Sequence, residues 1–360
     1  MSSSLGVFVA SNTACTVALG NSVDQCTTNA DCSHFGSTYF CRKSDTTCQQ
    51  LVTKECPYVY GNYNGAGSDN AVYFGVIISL TGPYGDGYKP FEAAVRTAIA
   101  DFDQNTHGLP PIGASNGQPR PLVGIICDDA SAAEADSATT LLSARHLVND
   151  VGVSAIIGTP STSTTLAMAT EVTIPSGVFA ISPSATGESI TDIADNGLLW
   201  RTAPSDLFQG GAMATFVNTV LIPKVRNRNP SNPVPAGGLS ILSFVRGDVY
   251  GNGLAGVFKD TDAFRNGIGK ENYHELNYGT DANAPLNTDV QQQLRLFKPD
   301  IILAFGLAET ANNVVGQAES AWDAATGRTQ RPYYVSGDGI SNGDVKSLVT
   351  NNTHGLQQRL

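Results

Sequence analysis

The chain has 360 residues, 41% of them hydrophobic and 15% charged, and its 21 Lys and Arg against 32 Asp and Glu give a net charge of −11. That length suggests about two to three domains with ordinary cores, which excludes global disorder. The acidic balance, without a basic cluster, argues against a nucleic-acid or anionic-membrane surface, and no stretch approaches the ~20 apolar residues of a membrane span.

Residues 1–15 lack a basic n-region, yet Ala14 before Cys15 has the look of a signal or lipoprotein cleavage remnant. Six of the seven cysteines fall between Cys15 and Cys56 in a Gly/Ser/Thr/Asn-rich stretch. With too few apolar residues for a core, residues 1–56 read as a disulfide-stapled module, which implies an oxidising compartment. No C-x-x-C pair is present, so zinc is not expected, and the pairing stays open. Cys127, at the end of the apolar run Leu122–Ile126, reads as a buried free thiol. Residues 57–70, PYVYGNYNGAGSDN, read as a linker.

The stretch on which the rest is built follows. Val72–Ile78 is a short apolar run fit for a buried strand; Ser79 to Gly87 is a glycine-rich loop; after Pro90 the apolar residues Phe91, Val95, Ile99 and Phe102 recur at helical spacing. Strand, loop and helix make the first unit of a parallel α/β sheet, whose ligand edge lies at the carboxyl ends of the strands. Further strands are expected at 122–127, 153–157, 178–181 and 198–202, with helices at 132–149 and from after the loop 158–164 through Glu171. A helix at 208–220 and a Pro/Asn-rich loop at 223–238 precede a second series. There strands at 239–245, 273–278, 301–305 and 332–335 alternate with helices at 254–264, 288–297 and 308–325. Two such series predict two α/β lobes joined by a hinge near Thr202–Asp206, the first spanning 71–204 and the second 205–350.

Gly251-Asn252-Gly253-Leu254-Ala255-Gly256 matches G-x-G-x-x-G, but five residues separate it from the strand, so it reads as a glycine-rich helix entry. There is no phosphate loop, no G-x-S-x-G elbow and no His pair at metal-ligand spacing. Asp128-Asp129 point to opposite faces and read as structural. No catalytic residue, cofactor or metal is therefore expected. What accumulates instead is hydroxyl groups at strand ends, in Thr159–Thr165 and Ser182–Thr186, with Tyr250, Glu309 and Asp338 at the second-series strand ends. Such loops can hold a carboxylate through neutral donors, and a facing Asp338 can take an ammonium, which together suit a zwitterion. In the first loop, Tyr84 is the side chain best placed to touch a ligand.

Several segments in order, Gly75–Gly85 (GVIISLTGPYG), Cys127–Ala130, Ala155–Gly158, Ile181–Thr186, Trp200–Thr202, Asp248–Ala255 and Gly337–Gly339, resemble the periplasmic type I solute-binding proteins of ABC transporters, nearest the branched-chain amino-acid receptors. The resemblance covers residues 71–355 and implies that fold. It also implies carboxylate binding by Thr162 and Ser163, completed by Ser184 and Thr186, closure by Tyr250 and ammonium binding by Asp338. Two positions depart from the pattern: Gly306–Glu309 stands where those receptors carry a tyrosine-rich loop, and Asp338 where they carry glutamate. By the same resemblance, residues 351–360 are expected to begin a return to the first lobe, cut short at Leu360. The implied function is capture of an amino-acid-like solute for a membrane ABC permease, by a monomer in the bacterial periplasm or cell envelope, with lipid anchoring at Cys15 in view. A ligand-sensing ectodomain is the alternative; an α/β enzyme is disfavoured for want of a catalytic constellation.

Overall fold

The computed structural model describes residues 25–64, 68–112, 117–129, 137–228, 238–340, 343–352 and 354–360; the expected signal or lipoprotein remnant and Cys15 lie outside them. The chain begins with a small hairpin, β1 (Tyr39–Arg42) and β2 (Thr47–Gln50). Disulfides Cys26–Cys41 and Cys32–Cys48 staple it to the turn at Asn29–Cys32. Phe40 and Leu51 are buried, but not in a core of their own: they pack with Ile77, Ile125 and Leu147 of the body that follows. Arg42 Nη1 donates to the carbonyls of Asn149 and Asp150 at 2.6 and 2.8 Å, and Leu51 O lies 3.2 Å from His146 Nε2. The module is fused to the first lobe rather than merely attached to it.

Two sequence-based expectations fail at this junction. Cys127 is not a free thiol; it forms a disulfide with Cys56. Residues 58–60, expected within a linker, form β3 (Tyr58–Tyr60), an antiparallel edge strand against β5 (Leu122–Asp128). One cause explains both. Cys56 meets Cys127, 71 residues on, and the Tyr-Val-Tyr run meets Gly124–Ile126, only once the sheet brings these distant positions together, and nothing local signals that.

The remaining strands of the first sheet are β4 (Val72–Ile78), β6 (Ala155–Gly158), β7 (Phe179–Ser182) and β8 (Leu199–Arg201). The order is β3-β5-β4-β6-β7-β8, parallel except for β3. β4 lies in its middle, with Val76, Ile77 and Ile78 buried, as its unbroken apolar run predicts for a strand covered on both faces. Helix α1 (Gly85–Thr106) covers one face. It starts at Gly85, earlier than expected, with Pro90 inside its second turn. The other face is covered by α2 (Ala138–Arg145), the helical turn that continues it, and α3 (Thr162–Met168).

Beyond β8 the chain passes to the second lobe. Ser205 caps α4 (Asp206–Phe216) by accepting from Leu207 N at 3.3 Å, and the helix runs on through α5 (Ile222–Arg226). The second sheet has β9 (Ile241–Arg246), β10 (Tyr273–Tyr278), β11 (Ile301–Phe305) and β12 (Tyr333–Ser336) in the order β10-β9-β11-β12, all parallel. Its face toward α4 and α6 (Val249–Lys259) buries Ile241, Leu303 and Phe305; its face toward α7 (Asn287–Phe297) and α8 (Gln317–Thr326) buries Leu242, Phe244 and Ile302 around Trp322. α9 (Gly343–Asn351) follows β12.

Residues 354–360 pack against the second lobe. Leu356 is buried in the second-lobe core, Arg359 O accepts from Tyr334 N at 2.6 Å, and the Arg359 guanidinium pairs with Glu319 at 2.7 Å.

Candidate functional site

Loops following β4, β6 and β7 on one side and β9, β11 and β12 on the other line a single cleft of about 490 Å³. Tyr84, Thr162, Ser163, Ser184 and Thr186 from the first lobe and Tyr250 and Asp338 from the second lie on it, whereas Glu309, also singled out from the sequence, is not among its lining residues. Their side chains are engaged in different ways.

The first-lobe wall is a stitched pair of loops. Gly158 (φ +131°) brings the chain so close to β4 that a Cβ there would sit 2.1 Å from Ile77 O, so only glycine fits. Behind it, Thr159 Oγ1 contacts Thr164 Oγ1 at 2.6 Å and Thr165 Oγ1 at 2.9 Å. Ser182 Oγ donates to Thr159 O at 2.6 Å. Thr162 is buried and its hydroxyl accepts from Gly187 N at 3.1 Å, while Ser184 Oγ donates to Pro160 O at 2.9 Å. These hydroxyls hold the two loops in register. Ser163, half-buried on the first turn of α3, and Thr186 complete the wall. Thr186 O accepts from Asp206 N at 2.9 Å, which ties the wall to the start of α4.

The second-lobe wall is acidic and aromatic. Asp248 caps α6, accepting from Gly251 N at 2.7 Å; the glycines of the G-x-G-x-x-G match lie inside that helix, and a Cβ at Gly251 would fall 2.4 Å from Arg246 O. The first glycine is thus a packing requirement, whereas a Cβ at Gly253 or Gly256 would meet nothing within 4 Å. Tyr250 is buried and donates from its hydroxyl to Asp338 Oδ1 at 2.9 Å. Burial, with the Asp338 and Asp206 carboxylates nearby, pushes that phenol well above its ordinary value, so it stays a donor. Gln209 of α4 is bound at both ends: its Oε1 accepts from Asp338 N at 2.7 Å, and its Nε2 donates to Asp338 Oδ1 at 2.9 Å and Asp206 Oδ1 at 2.8 Å.

Beneath the cleft lies a buried network that sequence reading did not assemble. Arg246, fully buried at the end of β9, donates to Asp248 Oδ2 at 2.7 Å, Glu309 Oε1 at 2.9 Å and Tyr84 Oη at 3.2 Å. Tyr278 Oη donates to Glu309 Oε1 at 2.9 Å, and Tyr84 Oη donates to Glu309 Oε2 at 3.0 Å. Tyr84 belongs to the first lobe and Glu309 to the second, so this hydrogen bond clasps the two across the cleft. Tyr84 lines the cleft by its ring while its hydroxyl is occupied. An arginine closing the buried, mostly apolar strand ILSFVR was the available signal for this network. Gln209 and Asp206, in a plain helical segment, offered none.

Among the described residues the site holds no cluster of side chains that would ligate a metal. The three cysteine sulfurs that approach one another, of Cys26, Cys32 and Cys48, are all in disulfides. Asp128, read from sequence as structural, accepts from Leu80 N at 2.9 Å and Thr81 Oγ1 at 2.5 Å and so fixes the loop that carries Tyr84.

A family model described as periplasmic binding protein matches residues 71–219. Solved structures share the fold at low identity. The leucine-binding protein LivK of Thermotoga maritima is 20% identical, with a TM-score of 0.57, 79% of this chain and 67% of that one covered. An ABC-transporter solute-binding protein of Rhodopseudomonas palustris, in complex with 3,4-dihydroxybenzoic acid, is 19% identical with a TM-score of 0.57, covering 79% and 66%. The branched-chain amino-acid binding protein LivJ of Streptococcus pneumoniae, in complex with isoleucine, is 19% identical with a TM-score of 0.57, covering 78% and 68%. The chain thus spans about two thirds of the length of the structures it matches. No curated protein sequence matches it.

Proposed function

We propose that this chain, which has the type I periplasmic binding protein fold, is an extracytoplasmic solute receptor that closes two lobes over a small polar ligand of amino-acid kind and presents it to an ABC permease. The observation that carries this reading is the cleft itself. It lies where two parallel sheets oppose their carboxyl edges, and it offers hydroxyl and backbone donors on one wall and Asp338 on the other. The solved structures of like fold are named as binders of leucine, isoleucine and 3,4-dihydroxybenzoic acid, which supports a small carboxylate-bearing ligand. Disulfides fit an oxidising compartment such as the periplasm.

In operation, the ligand carboxylate meets the Ser161–Ser163 turn and Thr186, its ammonium meets Asp338, and Tyr250 seals the second wall. Bending near Thr202–Asp206 brings the walls together, and the ligand stabilises the closed arrangement because only there does it touch both. No arrangement of nucleophile and base appears among the lining residues, so binding is the chemistry proposed. A thermal-shift screen of amino acids, amides and small aromatic carboxylates tests this. The expected result is stabilisation by at least one of them that Asp338→Ala or Ser163→Ala removes. Stabilisation by none, or one indifferent to both substitutions, would refute the reading.

A further inference from the structure

Both walls of the cleft meet at one carboxyl group that is not among its lining residues. Asp206 opens α4 at the end of the hinge segment, and its backbone N–H donates to Thr186 O of the first-lobe wall at 2.9 Å. Its Oδ1 accepts at 2.8 Å from Gln209 Nε2, which also donates to Asp338 Oδ1 of the second-lobe wall at 2.9 Å. The other end of that amide, Gln209 Oε1, accepts from Asp338 N at 2.7 Å. Asp338 is thus fastened at its backbone and at its carboxylate by one side chain, and Asp206 fastens that side chain in turn.

Asp206 is fully buried, and its Oδ2 has no hydrogen-bond partner among the described residues. The charged and titratable groups that face it are Arg201 from the end of β8, Asp338 after β12 and Tyr250 of α6. The Arg201 guanidinium attracts it through space only: its hydrogen bonds go to Thr186 O, Gly187 O and Thr191 Oγ1. Burial pushes the Asp206 carboxyl up to about 6; the Thr186 hydroxyl and the Gln209 amide hold it lower, Asp338 raises it and Arg201 draws it back. An ammonium arriving at Asp338 favours the charged form of a carboxyl that shares an amide with it. Cation entry and proton loss are then linked, and by reciprocity acid weakens the hold on the cation.

We propose that Asp206 and Gln209 are positioning residues for the ligand's ammonium at Asp338, and that its capture releases a proton from Asp206, so that the receptor binds at neutral pH and lets go in acid. This rests on the receptor reading above and adds a regulation to it. The full chain is titrated calorimetrically with L-leucine, L-phenylalanine, L-glutamate and L-arginine, and with benzoate as a carboxylate that lacks the ammonium. Titrations run at pH 5 and pH 7.5 and, at pH 6, in two buffers of different ionisation enthalpy. An amino acid that binds should have a Kd about fivefold higher at pH 5 than at pH 7.5. Its heat at pH 6 should differ between the buffers in the sense of proton release. D206N should lose both effects, benzoate should show neither, and Gln209→Met should bind the amino acid about tenfold more weakly. A Kd equal at both pH values, or a pH dependence that survives in D206N, overturns the coupling and leaves the receptor reading standing. Gln209→Met binding as tightly as the parent overturns the positioning role. Binding of benzoate and of no amino acid overturns the ammonium subsite and the coupling with it, while binding of none of the five overturns the receptor reading as well.

Discussion

Asp206 shows what burial does to a single carboxyl group. Desolvation raises it from 3.8 to about 6, with the Asp338 carboxylate adding to the effect. The folded chain therefore holds this proton more tightly than the unfolded chain, and the group lowers stability as pH climbs from about 4 to about 6, with the full penalty above that range. A shift of that size corresponds to about 3 kcal/mol. Asp206→Asn should thus melt several degrees higher than the parent at pH 8 and at nearly the same temperature at pH 4. Other carboxylates act equally in both proteins and cancel in the difference. A gain that does not grow with pH would refute this account. Asp338 and Tyr250 could be picked from the sequence because each ends a recognisable strand in a loop at the ligand edge. Asp206 and Gln209 could not, because their part comes from helix α4 docking beside β12, and no local pattern encodes that.

Between elements, the loop before α1 does the most. Asp128 at the end of β5 fixes Leu80 and Thr81, that loop carries Tyr84, and Tyr84 reaches Glu309 after β11. Tyr84→Phe removes a hydrogen bond to a buried carboxylate, a loss of about 1.5–3 kcal/mol. The expected outcome is a lower melting temperature and, in small-angle scattering, a larger radius of gyration than the parent without ligand. An unchanged radius would mean that the clasp does not hold the lobes. The strands from β4 onward were legible because parallel strands buried on both faces read as apolar runs, as in Ile301–Phe305. β1, β2 and β3 were missed because strands of three or four residues, one of the three in β3 exposed and the other two half-buried, carry too little pattern. The start of α1 was misplaced because Pro90 reads as a helix boundary, whereas the helix begins one turn and more before it.

Across the whole molecule, three disulfides differ in how much chain they close. Cys56–Cys127 spans 71 residues and Cys26–Cys41 spans 15, which in the chain-entropy picture corresponds to about 4 and about 3 kcal/mol. Replacing Cys56 and Cys127 together by serine should therefore lower the melting temperature more than replacing Cys26 and Cys41, since it also frees β3 from the sheet. The reverse order in a calorimetric comparison would argue that the module, not the junction, holds the front of the chain. Among the described residues the backbone crosses between the two lobes once, at Thr202–Ser205. A single strand of polypeptide is a swivel, not a door hinge: it leaves twist as free as bending. Tyr84 and Glu309, beneath the cleft, supply a second pivot point, and two points define an axis. The direction in which this molecule opens is then set by one hydroxyl held between a carboxylate and a guanidinium.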